Sequence, residues 1–146
     1  MAGLGTGFMH SVDSSTVTVE HWRQLADAAR VASARAYCRY SNFRVGAAVL
    51  GSDGAITLGC NVENASFGLT ICAERNAIFG AIANGACAIV ALALYTPTPR
   101  LVTPCGACRQ VLAEFGRDAR VRCACDGPDV TTFTLASLLP HPFGLD

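Results

Sequence analysis

Residues 86–116 read ACAIVALALYTPTPRLVTPCGACRQVLAEFG, and this stretch decides the fold class. Ala86 to Tyr95 is an unbroken apolar run of strand type, as expected for a strand covered on both faces. Pro97 and Pro99, the first prolines in the chain, mark a loop. Pro104 then opens a helix over Cys105 to Phe115 and Gly116 closes it, matching the preference for proline at helix starts and glycine past helix ends. A covered strand followed by a helix points to an α/β domain.

The flanking sequence extends that reading. Downstream, Val121 to Cys125 and Val130 to Phe133 are two short strands around Asp126-Gly127, and Leu135 to Leu139 is a last helical turn before Pro140. Upstream, Cys72 to Asn84 is helical, with Ile78, Phe79 and Ile82 on one side and Gly85 placed to end it. Phe43 to Leu50 and Ala55 to Asn61 are strands joined through Gly51-Ser-Asp-Gly54, whose Asp-Gly pair is a hairpin signal. From Val19 to Cys38 the residues Trp22, Leu25, Ala26, Ala29 and Ala36 recur at helical spacing, with Thr18 as N-cap and Glu20 in the first turn. The order αββαβαββ predicts a mixed five-stranded sheet flanked by helices, in a single domain over 16–146. The Gly- and Ser-rich start, 1–15, lacks the basic and apolar regions of a signal peptide and reads as a mobile tail.

Composition narrows the function. The 146 residues are 51% hydrophobic with a net charge of +0, which excludes disorder for the bulk of the chain. No window approaches a membrane span. All eleven basic residues are arginines, so Schiff-base chemistry and a phosphate-loop lysine are both excluded. The arginines are scattered apart from Arg117, Arg120 and Arg122, so the chain lacks the cationic footprint of a nucleic-acid binder. A small, weakly charged substrate is the better expectation. Eight cysteines without an export signal point to a reducing cytoplasm rather than a secreted disulfide scaffold.

Two of the motifs carry chemistry: Cys72-Ala73-Glu74 and Pro104-Cys105-Gly106-Ala107-Cys108. A C-x-x-C pair at a helix start puts both sulfurs on one side of the first turn, and one further thiolate makes a three-sulfur site. Three protein ligands leave zinc one open position, which is the catalytic pattern. Cys72 and Cys105 both stand at predicted helix N-termini, where partial positive charge favours the thiolate. Arg75 or Arg109 can donate to the sulfurs and offset their charge. Glu74, two residues beyond a ligand, is placed to face the open position and move protons. A redox dithiol would not need Cys72-Ala73-Glu74. A purely structural zinc site would want a fourth ligand from Cys38, Cys60, Cys87, Cys123 or Cys125, which read instead as small buried hydrophobes. Asn61 and Glu63 alternate around Val62 at a strand end, so they share a face and suit vicinal hydroxyls.

The signature of a ligand, x, Glu, then Pro-Cys-x-x-Cys is that of the zinc deaminases. Tyr40-Ser-Asn-Phe-Arg-Val-Gly-Ala-Ala48, Gly59-Cys-Asn-Val-Glu-Asn-Ala65, Ile71-Cys-Ala-Glu-Arg75, Pro104-Cys-Gly-Ala-Cys-Arg-Gln-Val111 and the closing Leu138-Leu-Pro-His-Pro-Phe-Gly144 together resemble the cytidine deaminase family, in its short homotetrameric branch. The resemblance covers roughly residues 19 to 146. It implies a three-layer α/β fold and hydrolytic deamination of cytidine and 2′-deoxycytidine to uridine and 2′-deoxyuridine, in cytoplasmic pyrimidine salvage, with no nucleic-acid or membrane partner.

By position, the resemblance implies that Cys72, Cys105 and Cys108 hold one zinc ion per subunit, compensated by Arg75. Glu74 would carry protons from water to ring N3 and the leaving amine. Asn61 and Glu63 would bind the ribose, chiefly its 3′-hydroxyl, and Phe43 would line the pocket. The backbone of Ala73 would read the pyrimidine carbonyl, and that of Thr103 would lie near the departing amine. Phe143 would pack on the base from an adjacent subunit, so sites would be shared within a homotetramer. Phe67, where the family commonly has tyrosine, and Cys38-Arg39, where a proline often stands, depart from the pattern. A deaminase of a cytosine nucleoside antibiotic such as blasticidin S is the alternative enzyme, and a non-enzymatic zinc module the alternative outside enzymes.

Overall fold

Thr18 opens the first helix, α1 (Val19–Ser33), with a reciprocal cap. Its hydroxyl accepts the His21 amide at 3.1 Å, and the His21 ring accepts the Thr18 amide at 3.2 Å. The computed structural model describes residues 11–145. Most of the expected tail, 1–10, therefore lies outside the described residues. Of the rest, the Val12 amide donates to Ser52 O at 2.9 Å and its side chain packs beneath α1.

Five strands follow: β1 (Gly46–Gly51), β2 (Ile56–Cys60), β3 (Ile89–Thr96), β4 (Arg120–Cys125) and β5 (Val130–Thr134). They form one sheet in the order β2-β1-β3-β4-β5, in which β3 and β4 are parallel and every other pair is antiparallel. The mixed five-stranded sheet is as expected. Between strands lie α2 (Ala73–Ala83) and α3 (Gly106–Phe115), and the short α4 (Leu135–Leu138) ends the fold. A 3₁₀ turn, Phe67–Leu69, had no signal in the sequence.

Strand β3 is buried throughout because it has helices on both sides. Leu92 and Leu94 pack with Ala77 and Ile78 of α2 and Leu112 of α3. Ala91, Ala93 and Tyr95 face Trp22, Leu25 and Ala29 of α1. This makes three layers: α1, the sheet, then α2 with α3. Each fully buried Leu or Ile stabilises the fold by about 1.5–3 kcal/mol. Among the described residues, no helix is long and apolar enough to cross a membrane.

Three boundaries differ from expectation: β3 begins at Ile89 rather than Ala86, whose amide instead closes the end of α2 by donating to Ala81 O at 3.1 Å, and the other two differences shape the site. Helix α1 stops at Ser33 rather than running to Cys38, because Tyr37 leaves to pair with the segment after β2. The Tyr37 amide donates to Asn61 O at 3.0 Å, and the Glu63 amide donates to Tyr37 O at 2.8 Å. Strand β1 begins at Gly46 rather than Phe43 because the Asn61 side chain captures the backbone ahead of it. Its Nδ2 donates to Phe43 O and its Oδ1 accepts the Val45 amide, both at 2.8 Å. Residues 37–45 thus form a loop across the ends of β2 and α2.

Gly59 sets how closely α2 lies on the sheet. A Cβ there would sit 2.5 Å from Ala77 N and 2.6 Å from Ala73 O, so only glycine admits the backbone of α2.

Candidate active site

Cys72 is the N-cap of α2 and Cys105 the N-cap of α3, and neither helix start has a side-chain cap. Cys108 lies one turn into α3 and is buried. The three sulfurs lie within 4.8 Å of one another, with Cys72–Cys105 at 4.0 Å and Cys105–Cys108 at 3.5 Å. Tetrahedral zinc with Zn–S bonds of about 2.3 Å places its sulfurs roughly 3.8 Å apart, so this trio fits one ion. All eight cysteines are free, which removes the disulfide scaffold from consideration. Cys38, Cys123 and Cys125 are buried as expected of small hydrophobes, whereas Cys60 is half-buried and Cys87 exposed.

The charge on this cluster is unevenly shared. A hydrogen bond from Cys108, assisted by Arg75, brings the Cys72 thiol down to about 5. The same pairing with Cys72 pushes Cys108 upward. Of the two arginines open from sequence, Arg75 meets the sulfur, its Nη2 donating to Cys72 Sγ at 3.3 Å. Arg109 turns away to backbone and hydroxyl oxygens.

Glu74 is 4% exposed, and burial raises its carboxyl to about 7, with the neighbouring Cys72 adding to the shift. Its Oε2 is buried without a hydrogen-bond partner among the described residues. A buried polar atom of this kind normally finds a partner, so its environment is incomplete without an added group. Three thiols and an unsatisfied carboxylate oxygen together fit a metal ion and a small polar ligand.

A cavity of about 450 Å³ opens beside the cluster, within the usual range for small-molecule sites. It brings together Glu74, Cys72, Cys105, Phe43, Asn61 and Glu63, and Ala73 and Thr103 line it too. Asn61 is fixed by the two backbone bonds described above. The Glu63 Oε2 accepts the amides of Tyr40 at 2.8 Å and Ser41 at 3.2 Å, and its Oε1 accepts the Ser41 hydroxyl. The Ser41 bond holds the Glu63 carboxyl below the usual carboxylate range. Ser41 and Thr70 also line the cavity, and neither was singled out from the sequence. Their one signal is position: Ser41 lies within the Tyr40–Ala48 motif, and Thr70 directly precedes Ile71-Cys72.

Phe143 is not brought to the cavity of its own chain. It is 72% exposed, with its backbone clasped by Gln110: Nε2 donates to Phe143 O at 3.0 Å, and Oε1 accepts the Phe143 amide at 3.1 Å. Phe67 packs edge-on to Tyr40 at 5.9 Å, and Arg39 lies 5.6 Å over the same ring. Both departures therefore meet at Tyr40, next to the Glu63 carboxylate but outside the cavity lining.

This geometry has close relatives. Residues 19–125 match the family model of the cytidine and deoxycytidylate deaminase zinc-binding region. A cytidine deaminase of Halalkalibacterium halodurans is 49% identical over 109 residues, covering 74% of this chain and 83% of that protein. One from Mycobacterium tuberculosis is 44% identical over 125 residues, covering 86% and 91%. The crystal structure of cytidine deaminase from Burkholderia pseudomallei superimposes with a TM-score of 0.79 at 44% identity, covering 83% of this chain and 98% of that one. Fold, sulfur cluster and sequence agree over most of the chain, which therefore belongs to the zinc-binding cytidine and deoxycytidylate deaminase family.

Proposed function

We propose that this chain catalyses hydrolytic deamination of cytidine and 2′-deoxycytidine to uridine and 2′-deoxyuridine, releasing ammonia. The observation that carries the reading is the buried, unpartnered Glu74 oxygen beside three clustered sulfurs at the wall of one cavity. Kinship with proteins named cytidine deaminase supports the substrate class.

Cys72, Cys105 and Cys108 would hold zinc, which would supply the Lewis acidity that lowers the pKa of water toward neutrality. Glu74 takes the attacking water's two protons in turn, passing the first to ring N3 and the second, from the hydroxyl formed at C4, to the departing amine. A carboxyl raised by burial suits both directions of transfer near neutrality. One water is consumed; its oxygen becomes the uridine carbonyl and the amine leaves as ammonia. Arg75 offsets thiolate charge through its bond to Cys72. Phe43 covers the base, Asn61 and Glu63 hold the ribose, and the uncapped Ala73 amide at the α2 start reads the pyrimidine carbonyl. The Thr103 backbone lies beside the amine.

Phe143 packs on the base of an adjacent subunit, in a homotetramer with one zinc per subunit. The exposed apolar residues Tyr37, Val62, Phe67 and Leu69 support burial against a second copy. The domain runs over 16–146, and its setting is cytoplasmic pyrimidine salvage. The test compares kcat/KM on cytidine and on blasticidin S, following loss of the cytidine absorbance band and ammonia release. Preference for cytidine is expected; strong preference for the antibiotic would overturn the assignment.

A further inference from the structure

We propose that Arg109 is a positioning residue that locks the cavity wall carrying Thr103 and Cys105 to helix α3 and to the C-terminal segment; the inference rests on the deaminase reading above. The loop at 101–105 has no secondary structure of its own, yet it supplies Val102, Thr103 and Cys105 to the cavity. Arg109 compensates for the missing ladder. Its Nε donates to Pro104 O at 2.7 Å, Nη2 to Thr103 Oγ1 at 2.9 Å, and Nη1 to Leu138 O at 2.8 Å. Its own amide donates to Cys105 O at 3.0 Å. Four bonds from one residue thus join three consecutive loop residues to α3 and the end of α4.

All three side-chain acceptors are uncharged oxygens, so the guanidinium is not spent on an ion pair within this set. Its value there is geometric: a planar fork offers donors in fixed, separate directions. Lysine presents one nitrogen and cannot reach three acceptors spread around a plane. Displacing the loop would move Cys105 relative to Cys108 and the Thr103 backbone relative to Glu74. Misplacement by about 1 Å costs rate on the order of a hundredfold when reacting groups must align.

The test uses the full-length zinc-loaded protein with Arg109→Gln, Arg109→Lys, Thr103→Val and Thr103→Ser beside wild type. Both Arg109 variants are expected to lower kcat by at least about tenfold while KM stays within about threefold. They should also release zinc to a chromogenic chelator about tenfold faster. Thr103→Val reproduces part of the kcat loss, and Thr103→Ser, which keeps the hydroxyl, loses less than Thr103→Val. The double variant Arg109→Gln/Thr103→Val loses no more than Arg109→Gln alone, because the two side chains act through one bond.

Wild-type kcat and zinc release in Arg109→Lys would overturn the proposal, as would additive losses in the double variant. If the Arg109 variants fail to fold, the Thr103 pair decides, and wild-type behaviour of Thr103→Val overturns it. Failure of wild type to deaminate cytidine would sink the deaminase reading instead, while the zinc-release rates would still decide the role of Arg109.

Discussion

Glu74 is a carboxylic acid shut away from water with one oxygen unsatisfied, a costly placement for a purely structural residue. Replacing it with glutamine keeps its shape and removes its proton chemistry. Glu74→Gln should therefore retain fold and zinc yet lose roughly a hundredfold or more in kcat. Near-normal turnover with full metal would assign the proton to another group. The sulfur cluster and the buried carboxylate beside it were legible because they stand in two short runs at helix starts. Choosing between Arg75 and Arg109 was not possible from spacing alone. Arg75 lies three residues after Cys72 and returns to the same face of the first turn. Arg109 follows Cys108 directly, about 100° around its helix, and its side chain turns back to Pro104.

At the scale of elements, the site depends on how tightly α2 lies against β2, and Gly59 governs that distance. Gly59→Ala should cost about 1–3 kcal/mol in chemical unfolding, since a methyl would strike the Ala73 and Ala77 backbone. Because α2 begins with Ala73 and Glu74, kcat should fall alongside stability; unchanged unfolding and turnover would mean that the helix shifts freely. Strand β3 and helix α3 were readable from an apolar run and a Pro-to-Gly frame. The end of α1 and the start of β1 were not. There, bonds from Tyr37 to the Asn61 and Glu63 backbone and from the Asn61 side chain to Phe43 and Val45 override local helix and strand preference. Those contacts span residues far apart in sequence, so no window of neighbouring residues records them.

For the molecule as a whole, Phe143 is exposed with its backbone held by Gln110, and the proposed function assigns its ring to the site of an adjacent subunit. Phe143→Ala should raise KM for cytidine by about tenfold while zinc content stays full, as expected when a buried aromatic contact worth about 1.4 kcal/mol or more is lost. Co-refolding Phe143→Ala with Glu74→Gln should give KM values nearer wild type than the Phe143→Ala protein alone, because some sites would pair an intact Glu74 with an intact Phe143. Mixtures with no such component would place Phe143 outside the neighbouring site. The closing motif marked Phe143 in the sequence, but nothing there disclosed that Gln110 holds it.

The most direct measurement is turnover of cytidine by the same preparation before metal removal, after it, and after restoration of zinc. One zinc per chain, loss of ammonia release on stripping and its return with zinc are the expected results, with thermal stability falling and recovering in parallel. A stripped protein that releases ammonia as fast as the untreated one would contradict the account.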